Sequence, residues 1–231
     1  MFPLHDNVRS RSVPIVSWLI IAANFLVFFY ELSLSPHDLN LFMSRYGLVP
    51  ASLTAAPHTW LPLITHMFIH AGWLHILSNM WMFFIFSDNV EDRLGSWPFL
   101  FFYLIGGIFA GLLQTFFSLG SNEPLVGASG AIAAVLGAYF LFYPRARVLT
   151  LVPIFILPWI IPIPAAVFLG LWFASQFFSG VLALAAPAGQ AAGGIAWWAH
   201  VGGFLFGLIA ARLLTLGKPR PVWRDGQYSS W

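Results

Sequence analysis

Six long, nearly uncharged apolar segments constrain this chain more than any other feature of its sequence. Only 8% of the residues are charged and 59% are hydrophobic, whereas a soluble domain carries about 25% charged residues. An apolar run of about 20 residues can cross the hydrocarbon core of a bilayer as a helix. We therefore predict an all-α membrane protein with six transmembrane helices, at residues 13–32, 73–87, 97–117, 126–143, 165–185 and 195–216.

The remaining segments predict one membrane domain, residues 13–216, between an N-terminal segment at 1–12 and a basic tail at 217–231. The first apolar run lacks the small-residue cleavage pattern of a signal peptide, so we interpret it as a retained span. Residues 34–61 mix polar and apolar side chains, which predicts a large, partly helical loop on the membrane surface. Residues 148–164 contain four prolines, which predict an interfacial or bent lead-in to the fifth span.

The basic residues predict the orientation of the chain. Six spans put both termini on one side, and Lys and Arg concentrate in cytoplasmic segments. With the N-terminus inside, nine of the ten Lys and Arg residues lie in cytoplasmic segments, and only Arg45 lies outside. We therefore expect a multi-pass protein of the plasma or inner membrane, with both the N-terminal segment and the basic tail in the cytoplasm.

The composition also excludes several classes of site. The basic residues are not clustered as in a nucleic-acid-binding protein, so we expect no nucleic-acid partner. The chain has no cysteine, and therefore neither disulfides nor thiolate metal sites. His66 and His70 have the i, i+4 spacing of a zinc site, but the metalloprotease pattern His-Glu-x-x-His is absent. We predict no metal and no cofactor, and the sequence does not specify an oligomeric state.

Polar residues lie near the starts of the second, fourth and sixth predicted spans, where they are costly and usually functional. They are His75 with Asn79, then Ser129, then His200. In the predicted orientation these three spans run from outside to inside. At 1.5 Å per residue, His75, Ser129 and His200 each lie less than about 10 Å below the outer boundary. Three helices therefore bring a hydrogen-bond donor, a nucleophile and a base to one depth.

The spacing of small residues predicts close packing of the fourth and sixth spans. Ser129, Ala133 and Gly137 share one helix face, and His200 shares another with Gly203. Faces made of Gly and Ala let helix backbones approach closely. The Ser129 hydroxyl would then lie within hydrogen-bond reach of the His200 imidazole, which is the arrangement that activates a serine nucleophile.

His75 and Asn79 also share a helix face, because they are four residues apart. Both side chains can donate hydrogen bonds to a developing oxyanion, and such a donor typically contributes about 3 to 4 kcal/mol. The backbone N–H of Ser129, near the start of a helix, is a further candidate donor.

Together these motifs resemble the rhomboid family of intramembrane serine proteases. The residues that carry the resemblance are His75-x-x-x-Asn79, Gly127-Ala128-Ser129-Gly130, Ala199-His200-x-Gly202-Gly203, Val90-Glu91-Asp92-Arg93-Leu94-Gly95 and Trp60. The first three motifs follow one another on alternate helices. The fourth is similar to the family's Glu-x-Arg motif, and Trp60 is similar to the tryptophan of its first loop. The resemblance covers essentially the whole chain.

The resemblance implies a rhomboid-like bundle with a large membrane-associated first loop. It implies that Ser129 is the nucleophile and His200 the general base, without an aspartate. His75, Asn79 and the backbone of Ser129 would form the oxyanion hole. The partners would be the lipid bilayer and transmembrane protein substrates, which are cut near the extracytoplasmic face through an acyl-enzyme.

The resemblance also assigns Glu91 and Arg93 a structural role, as an ion pair or a helix-end contact. Two positions depart from the family pattern. Many members have arginine after the first-loop tryptophan, where this chain has Leu61. Some members have a tyrosine one turn after the serine, packed on the histidine, where this chain has Ala133.

Other interpretations stay open beside the protease. Ser129 could simply cap a helix, and His200 could be a structural histidine. An inactive relative that binds transmembrane helices usually lacks the serine or the histidine, and this chain has both. A small transporter or channel would need polar residues along a path through several helices, whereas here they stop near the outer third.

Overall fold

The computed structural model describes residues 1–55, 60–154, 157–185 and 195–217. Within these residues the chain is mostly helical, with a short 3-10 turn at His66–Phe68. Its helices and strands follow in this order: β1 (Phe2–Asp6), α1 (Ile15–Ser33), α2 (Pro36–Tyr46), α3 (Pro50–Ala55), α4 (Pro62–Thr65), α5 (Trp73–Leu94), α6 (Ser96–Phe117), α7 (Ser129–Phe142), β2 (Arg147–Ile154), β3 (Leu157–Pro164), α8 (Ala165–Ala185) and α9 (Trp197–Leu214). The predicted basic tail beyond residue 217 lies outside the described residues.

Four of the described helices, α1, α6, α8 and α9, are long and apolar enough to cross a membrane. A fifth crossing is added if Pro62–Phe68 and α5, which meet at an angle of 95°, form one broken span. The predicted fourth span corresponds to α7, which is apolar but only 14 residues long. At 1.5 Å per residue it measures about 21 Å, less than the ~30 Å hydrocarbon core. The chain is thus a multi-pass membrane protein with four or five candidate spans by length.

The short helix α7 is the centre of the bundle. Every residue from Gly130 to Tyr139 is buried, and α5, α6, α8 and α9 all contact it. A helix that is apolar on every side suits this position, because it has no face that must meet water. Ser129, the partly buried first residue of α7, lies at one end of this buried segment.

Helix α5 is longer than the predicted second span. The sequence predicted that this span ends at residue 87, but the helix continues to Leu94, so residues 88–93 form its last turns. A single residue, Gly95, joins α5 to α6 with φ of +89°. Glycine adopts this left-handed conformation at low cost because it has no Cβ.

A three-stranded antiparallel sheet, in the order β1-β2-β3, corrects the all-α prediction. β2 and β3 form a hairpin with eight paired positions. β1 pairs with the other edge of β2, so part of the predicted N-terminal segment, residues 1–12, is attached to this sheet. Most of the predicted interfacial or bent lead-in at 148–164 is strand, and its position at the membrane interface stays a prediction.

The prolines that exclude a helix here are compatible with an edge strand. Pro158, Pro162 and Pro164 lie in β3, an edge strand of the described sheet, and an edge strand tolerates residues without an N–H. Pro153 lies in β2 but beyond Leu151, the last residue of β2 that is paired with β1. The Ile residues between the prolines favour strand.

The first strand also contacts the helices. The indole N–H of Trp81 in α5 donates to the carbonyl of Pro3 at 2.7 Å. The carboxylate of Asp6 accepts from Asn89 Nδ2 at 3.1 Å and from the Tyr139 hydroxyl. Burial raises the pKa of Asp6 from 3.8 to about 7, because a buried carboxylate loses its hydration.

Candidate active site

Ser129 and His200 lie in direct hydrogen-bond contact. Ser129 is the first residue of α7, and His200 is in the first turn of α9. The Ser129 Oγ and the His200 Nε2 are 2.8 Å apart, a normal length for a strong hydrogen bond. The structure therefore brings together the two residues that the sequence predicted as nucleophile and base.

Glycines make this contact possible, because they let α7 and α9 touch through their backbones. A Cβ at Gly203 would lie 2.1 Å from the carbonyl oxygen of Gly130, and one at Gly207 would lie 2.0 Å from that of Ala134. No side chain fits in either place. The close packing predicted for the fourth and sixth spans is confirmed.

Side chains of α8 and α9 contact the His200 ring. Its Nδ1 lies 2.7 Å from Gln176 Oε1, and the rings of Trp172 and Trp197 lie 5.8 Å and 6.4 Å from it, centre to centre. The sequence analysis missed Gln176. A signal was present, because glutamine is a strongly polar side chain in the middle of an apolar span.

Ala133, at the position where some members of the family have a tyrosine, packs between helices in this chain. Ala133 is fully buried, and its Cβ would lie 3.0 Å from a Cβ at Gly203. It therefore belongs to the contact between α7 and α9, and the aromatic contacts of His200 come from α8 and α9 instead.

A second glutamine positions the start of α9. Gln114 of α6 accepts hydrogen bonds at its Oε1 from the backbone N–H groups of Trp198 at 3.1 Å and Ala199 at 3.2 Å. The residue before α9, Ala196, has no side-chain oxygen with which to cap the helix. Gln114 supplies this cap from a neighbouring helix, next to His200. Sequence analysis missed it too.

His75 and Asn79 project from the first turns of α5 toward the segment that precedes Ser129. A Cβ at Gly127 would lie 2.6 Å from His75 Nε2, and 3.8 Å from Asn79 Nδ2. The φ of Gly127 is +121°, so both its conformation and its surroundings require glycine. The N–H of Ala71 lies 3.4 Å from His75 Nδ1, a contact that favours the tautomer with its hydrogen on Nε2.

The segment before α7 is anchored by two backbone contacts. Leu48 and Leu125 exchange hydrogen bonds of 3.0 Å and 2.9 Å, and the Gly127 N–H donates to the His66 carbonyl at 2.9 Å. The residues after α2 therefore help to place Ser129.

The two histidines considered for zinc have other surroundings. His66 Nδ1 lies 2.7 Å from the Pro62 carbonyl, while the His70 ring packs edge-on against that of His75, 5.0 Å away. The helical turn ends at Phe68, so the two side chains do not share a helix face. The residues that the structure describes contain no group of three or more potential metal ligands.

Ser129 and the side chains around it line one cavity of about 460 Å³. This volume is typical of a ligand pocket. Its polar lining consists of His75, Ser78, Asn79, Ser129 and His200. Its apolar lining includes Met82, Leu136 and Trp172. The cavity can thus hold part of a peptide beside the serine, in contact with both polar and apolar side chains.

Glu91 lies in the last turn of α5, at the opposite end of that helix from His75. Its buried carboxylate accepts hydrogen bonds from the N–H groups of Val16 at 3.0 Å and Ser17 at 2.8 Å. It also accepts from the hydroxyls of Ser17 at 2.8 Å and Ser96 at 2.7 Å. Glu91 therefore caps α1 and contacts the start of α6.

Arg93 lies two residues further, with its guanidinium over the ring of Phe142 at 5.8 Å. It therefore contacts the end of α7, whereas Glu91 contacts the starts of α1 and α6.

Comparison with known proteins identifies the family. Residues 57–216 match the family model described as the rhomboid domain. This chain belongs to the rhomboid family. Rhomboid proteins are known as intramembrane proteases, and the resemblance seen in the sequence motifs is confirmed at the level of the family.

Relatives from bacteria and animals match most of the chain. It is 33% identical over 141 residues to "Putative rhomboid protease YdcA" of Bacillus subtilis, which covers 60% of this chain and 68% of that protein. It is 30% identical over 161 residues to rhomboid protease GlpG of Yersinia pestis, covering 69% and 50%. It is 30% identical over 199 residues to the human presenilin-associated rhomboid-like protein, mitochondrial, covering 82% and 45%. The chain thus spans half or less of the last two.

Proposed function

We propose that this rhomboid protein is an intramembrane serine endopeptidase with Ser129 and His200 as its catalytic dyad. The observation that carries the proposal is the 2.8 Å contact between the two side chains on the wall of a cavity. Membership of a family known for intramembrane proteolysis supports the same reaction. An inactive helix-binding relative would have no need of this contact.

The dyad performs acyl transfer in two steps. Ser129 Oγ attacks the scissile carbonyl carbon while its proton passes to His200 Nε2. The C–N bond then breaks, His200 returns that proton to the leaving amine, and an acyl-enzyme remains. In the second step His200 takes a proton from water, the resulting hydroxide attacks the ester, and Ser129 leaves with the proton.

The negative charge that develops on the carbonyl oxygen needs donors that are already in place. His75 Nε2, Asn79 Nδ2 and the backbone N–H of Ser129 form this oxyanion hole in our proposal. Asn79 uses one amide hydrogen on the carbonyl of His75 at 3.0 Å, and its other hydrogen serves the oxyanion. The N-terminus of α7 adds its positive dipole end, and each donor contributes about 3 to 4 kcal/mol to the transition state.

The short central helix explains how water reaches the site. We propose that α7 completes a six-span bundle and begins below the outer membrane surface. Residues 120–128 then reach into the membrane as irregular backbone, which is tolerated where it is buried in protein or lines a water-filled cavity. Cleavage takes place at this level, near the extracytoplasmic face, on the transmembrane segment of another protein.

The proposed orientation follows the positive-inside rule, with both termini in the cytoplasm of a plasma or inner membrane. It places Arg9, Arg11, Arg145 and Arg147 on the same side as the three-stranded sheet. In this orientation Glu91 and Arg93 lie near the cytoplasmic side, far from Ser129, and we propose that their contacts are structural.

The experiment compares wild type with Ser129→Ala and with Ser179→Ala, a control serine in α8. Each protein is purified in detergent and tested for cleavage of a reporter transmembrane substrate and for labelling by a fluorophosphonate probe. We expect wild type and Ser179→Ala to cleave and label, and Ser129→Ala to do neither. A wild type that neither labels nor cleaves any of several substrates overturns the proposal in favour of a helix-binding relative. Labelling without cleavage keeps the nucleophile and refutes the substrate class.

A further inference from the structure

We propose that α8 selects the reactive tautomer of His200 through a relay of side-chain hydrogen bonds, with Gln176 as the positioning residue. The inference rests on the proposed Ser-His dyad and adds its missing third member. The relay consists of hydrogen bonds within one turn of α8 and of the contact between Gln176 and His200.

The relay begins at a group that can only accept. The carbonyl oxygen of Trp172 lies 2.6 Å from Ser175 Oγ, so the single hydroxyl hydrogen of Ser175 points to it. Ser175 Oγ can then only accept from Gln176, whose Nε2 is 3.0 Å away. This determines which way the Gln176 amide faces: its nitrogen is toward Ser175, and its oxygen is toward His200.

The amide oxygen then decides the state of the histidine. Gln176 Oε1 has no hydrogen and lies 2.7 Å from His200 Nδ1, so Nδ1 must carry one. A neutral imidazole has a hydrogen on only one of its nitrogens. His200 Nε2 is therefore bare and accepts from the Ser129 hydroxyl at 2.8 Å. The opposite tautomer would place an N–H against the serine and leave no base.

The surroundings suit a neutral acceptor. Gln176 is only 8% exposed, so its oxygen is shielded from competing water. A carboxylate at this place in an apolar span would be costly to bury, whereas an amide orients the ring without charge. The relay also satisfies the buried amide itself, since both its oxygen and its nitrogen have partners.

Ring packing by Trp172 of α8 and Trp197 of α9 restrains the geometry further. Trp172 supplies the carbonyl at the start of the relay and also places its ring 5.8 Å from that of His200. Trp197 meets the imidazole edge-on, with an interplanar angle of 90°. Packing therefore restrains the position of the ring, and the hydrogen bond with Gln176 determines which of its two tautomers is favoured.

The test removes the acceptor oxygen while keeping the volume, in Gln176→Met, and keeps an acceptor oxygen in Gln176→Glu. Ser175→Ala removes the link that orients the amide, and Ser179→Ala, one turn along the same helix, is its matched control. The readouts are the rate of fluorophosphonate labelling, kcat and KM on the reporter substrate, and the ¹⁵N NMR signals of the His200 ring.

We expect Gln176→Met to lower the labelling rate and kcat by about 10- to 100-fold with little change in KM, because one charge-assisted orienting hydrogen bond is lost in the transition state. Gln176→Glu keeps the acceptor oxygen for Nδ1 but loses the amide donor to Ser175, so it should recover only part of this loss. In the NMR spectra, His200 should carry its hydrogen on Nδ1 in wild type and Gln176→Glu, and on both nitrogens in exchange in Gln176→Met. Ser175→Ala should show a smaller loss than Gln176→Met, and Ser179→Ala none.

Wild-type labelling, kcat and tautomer in Gln176→Met would overturn the relay and leave the dyad intact. If Gln176→Met does not fold, Ser175→Ala decides, and an unchanged labelling rate and tautomer in that variant overturn the relay. If wild type itself is inactive, the proposed function fails, but the NMR signals still test the relay, since the tautomer does not depend on turnover.

Discussion

Replacing Gly203 by alanine is expected to separate Ser129 from His200 without changing either side chain. The new Cβ would lie 2.1 Å from the Gly130 carbonyl oxygen. An ordinary contact begins at 3.4 Å, so the backbones must move apart by about 1.3 Å. The obstructing atom belongs to the α7 backbone and cannot rotate away as a side chain would.

This displacement is large compared with the tolerance of the site. A retreat of that size along the line from Ser129 to His200 lengthens their 2.8 Å contact to about 4 Å, beyond the range of a hydrogen bond. A misplacement of about 1 Å costs on the order of 10²-fold in rate. Overpacking at one position also costs about 1 to 3 kcal/mol of stability.

The assay is the fluorophosphonate labelling rate of folded protein, with the melting temperature measured in parallel. Gly170→Ala in α8 is the matched control, because among the described residues its Cβ would meet only Phe140 Cε2, at an ordinary contact distance of 3.8 Å. We expect Gly170→Ala to label normally and to gain about 0.5 to 1 kcal/mol, as alanine does over glycine within a helix. A Gly203→Ala protein that labels at the wild-type rate and melts at the wild-type temperature would refute the packing argument.

Two further predictions concern the opposite end of the bundle. Glu91→Ala leaves four hydrogen-bond donors without their acceptor. We expect denaturation experiments to show a loss of about 3 kcal/mol or more in the free energy of unfolding, since each unsatisfied buried donor costs about 1 to 3 kcal/mol, and a smaller loss in Glu91→Gln. An unchanged free energy of unfolding in Glu91→Ala would contradict the capping role. The pKa of Asp6 is raised by burial from 3.8 to about 7, so the protonated carboxyl stabilises the fold fully below pH 3.8, and this contribution is lost as the pH rises through about 7. Melting temperatures between pH 4 and 8 should therefore fall more in wild type than in Asp6→Asn, and parallel curves for the two proteins would show that Asp6 is not the group responsible.

The helices facing lipid were the part of the fold most accessible to prediction. The fifth span was predicted at 165–185, and α8 has these bounds; the third differs by one residue at its start from α6. An uninterrupted apolar run is sufficient to predict such a helix, because a segment in lipid must satisfy its own backbone hydrogen bonds. The polar end of α5 lay beyond the predicted second span, because polarity alone does not distinguish a loop from the last turns of a helix.

The sheet shows where local patterns are insufficient. Four prolines in residues 148–164 correctly excluded a helix, but the strands form because β1, from the far end of the sequence, pairs with one edge of β2 and β3 with the other. That pairing joins residues more than 140 positions apart, such as Asp6 and Val148. Sequence periodicity contains no information about a partner at that distance.

The sequence by itself determined that this chain is a membrane protein and that Ser129 and His200 lie on small-residue faces, because hydrophobicity and helix periodicity are local properties. Only the tertiary structure decided what surrounds them: Gln176 on the His200 ring, Gln114 at the start of α9, and the backbone contact of Gly203 with Gly130. Each of these depends on how a helix is rotated about its own axis and which neighbour it meets. That choice is made by the packing of the whole bundle, and no single segment encodes it.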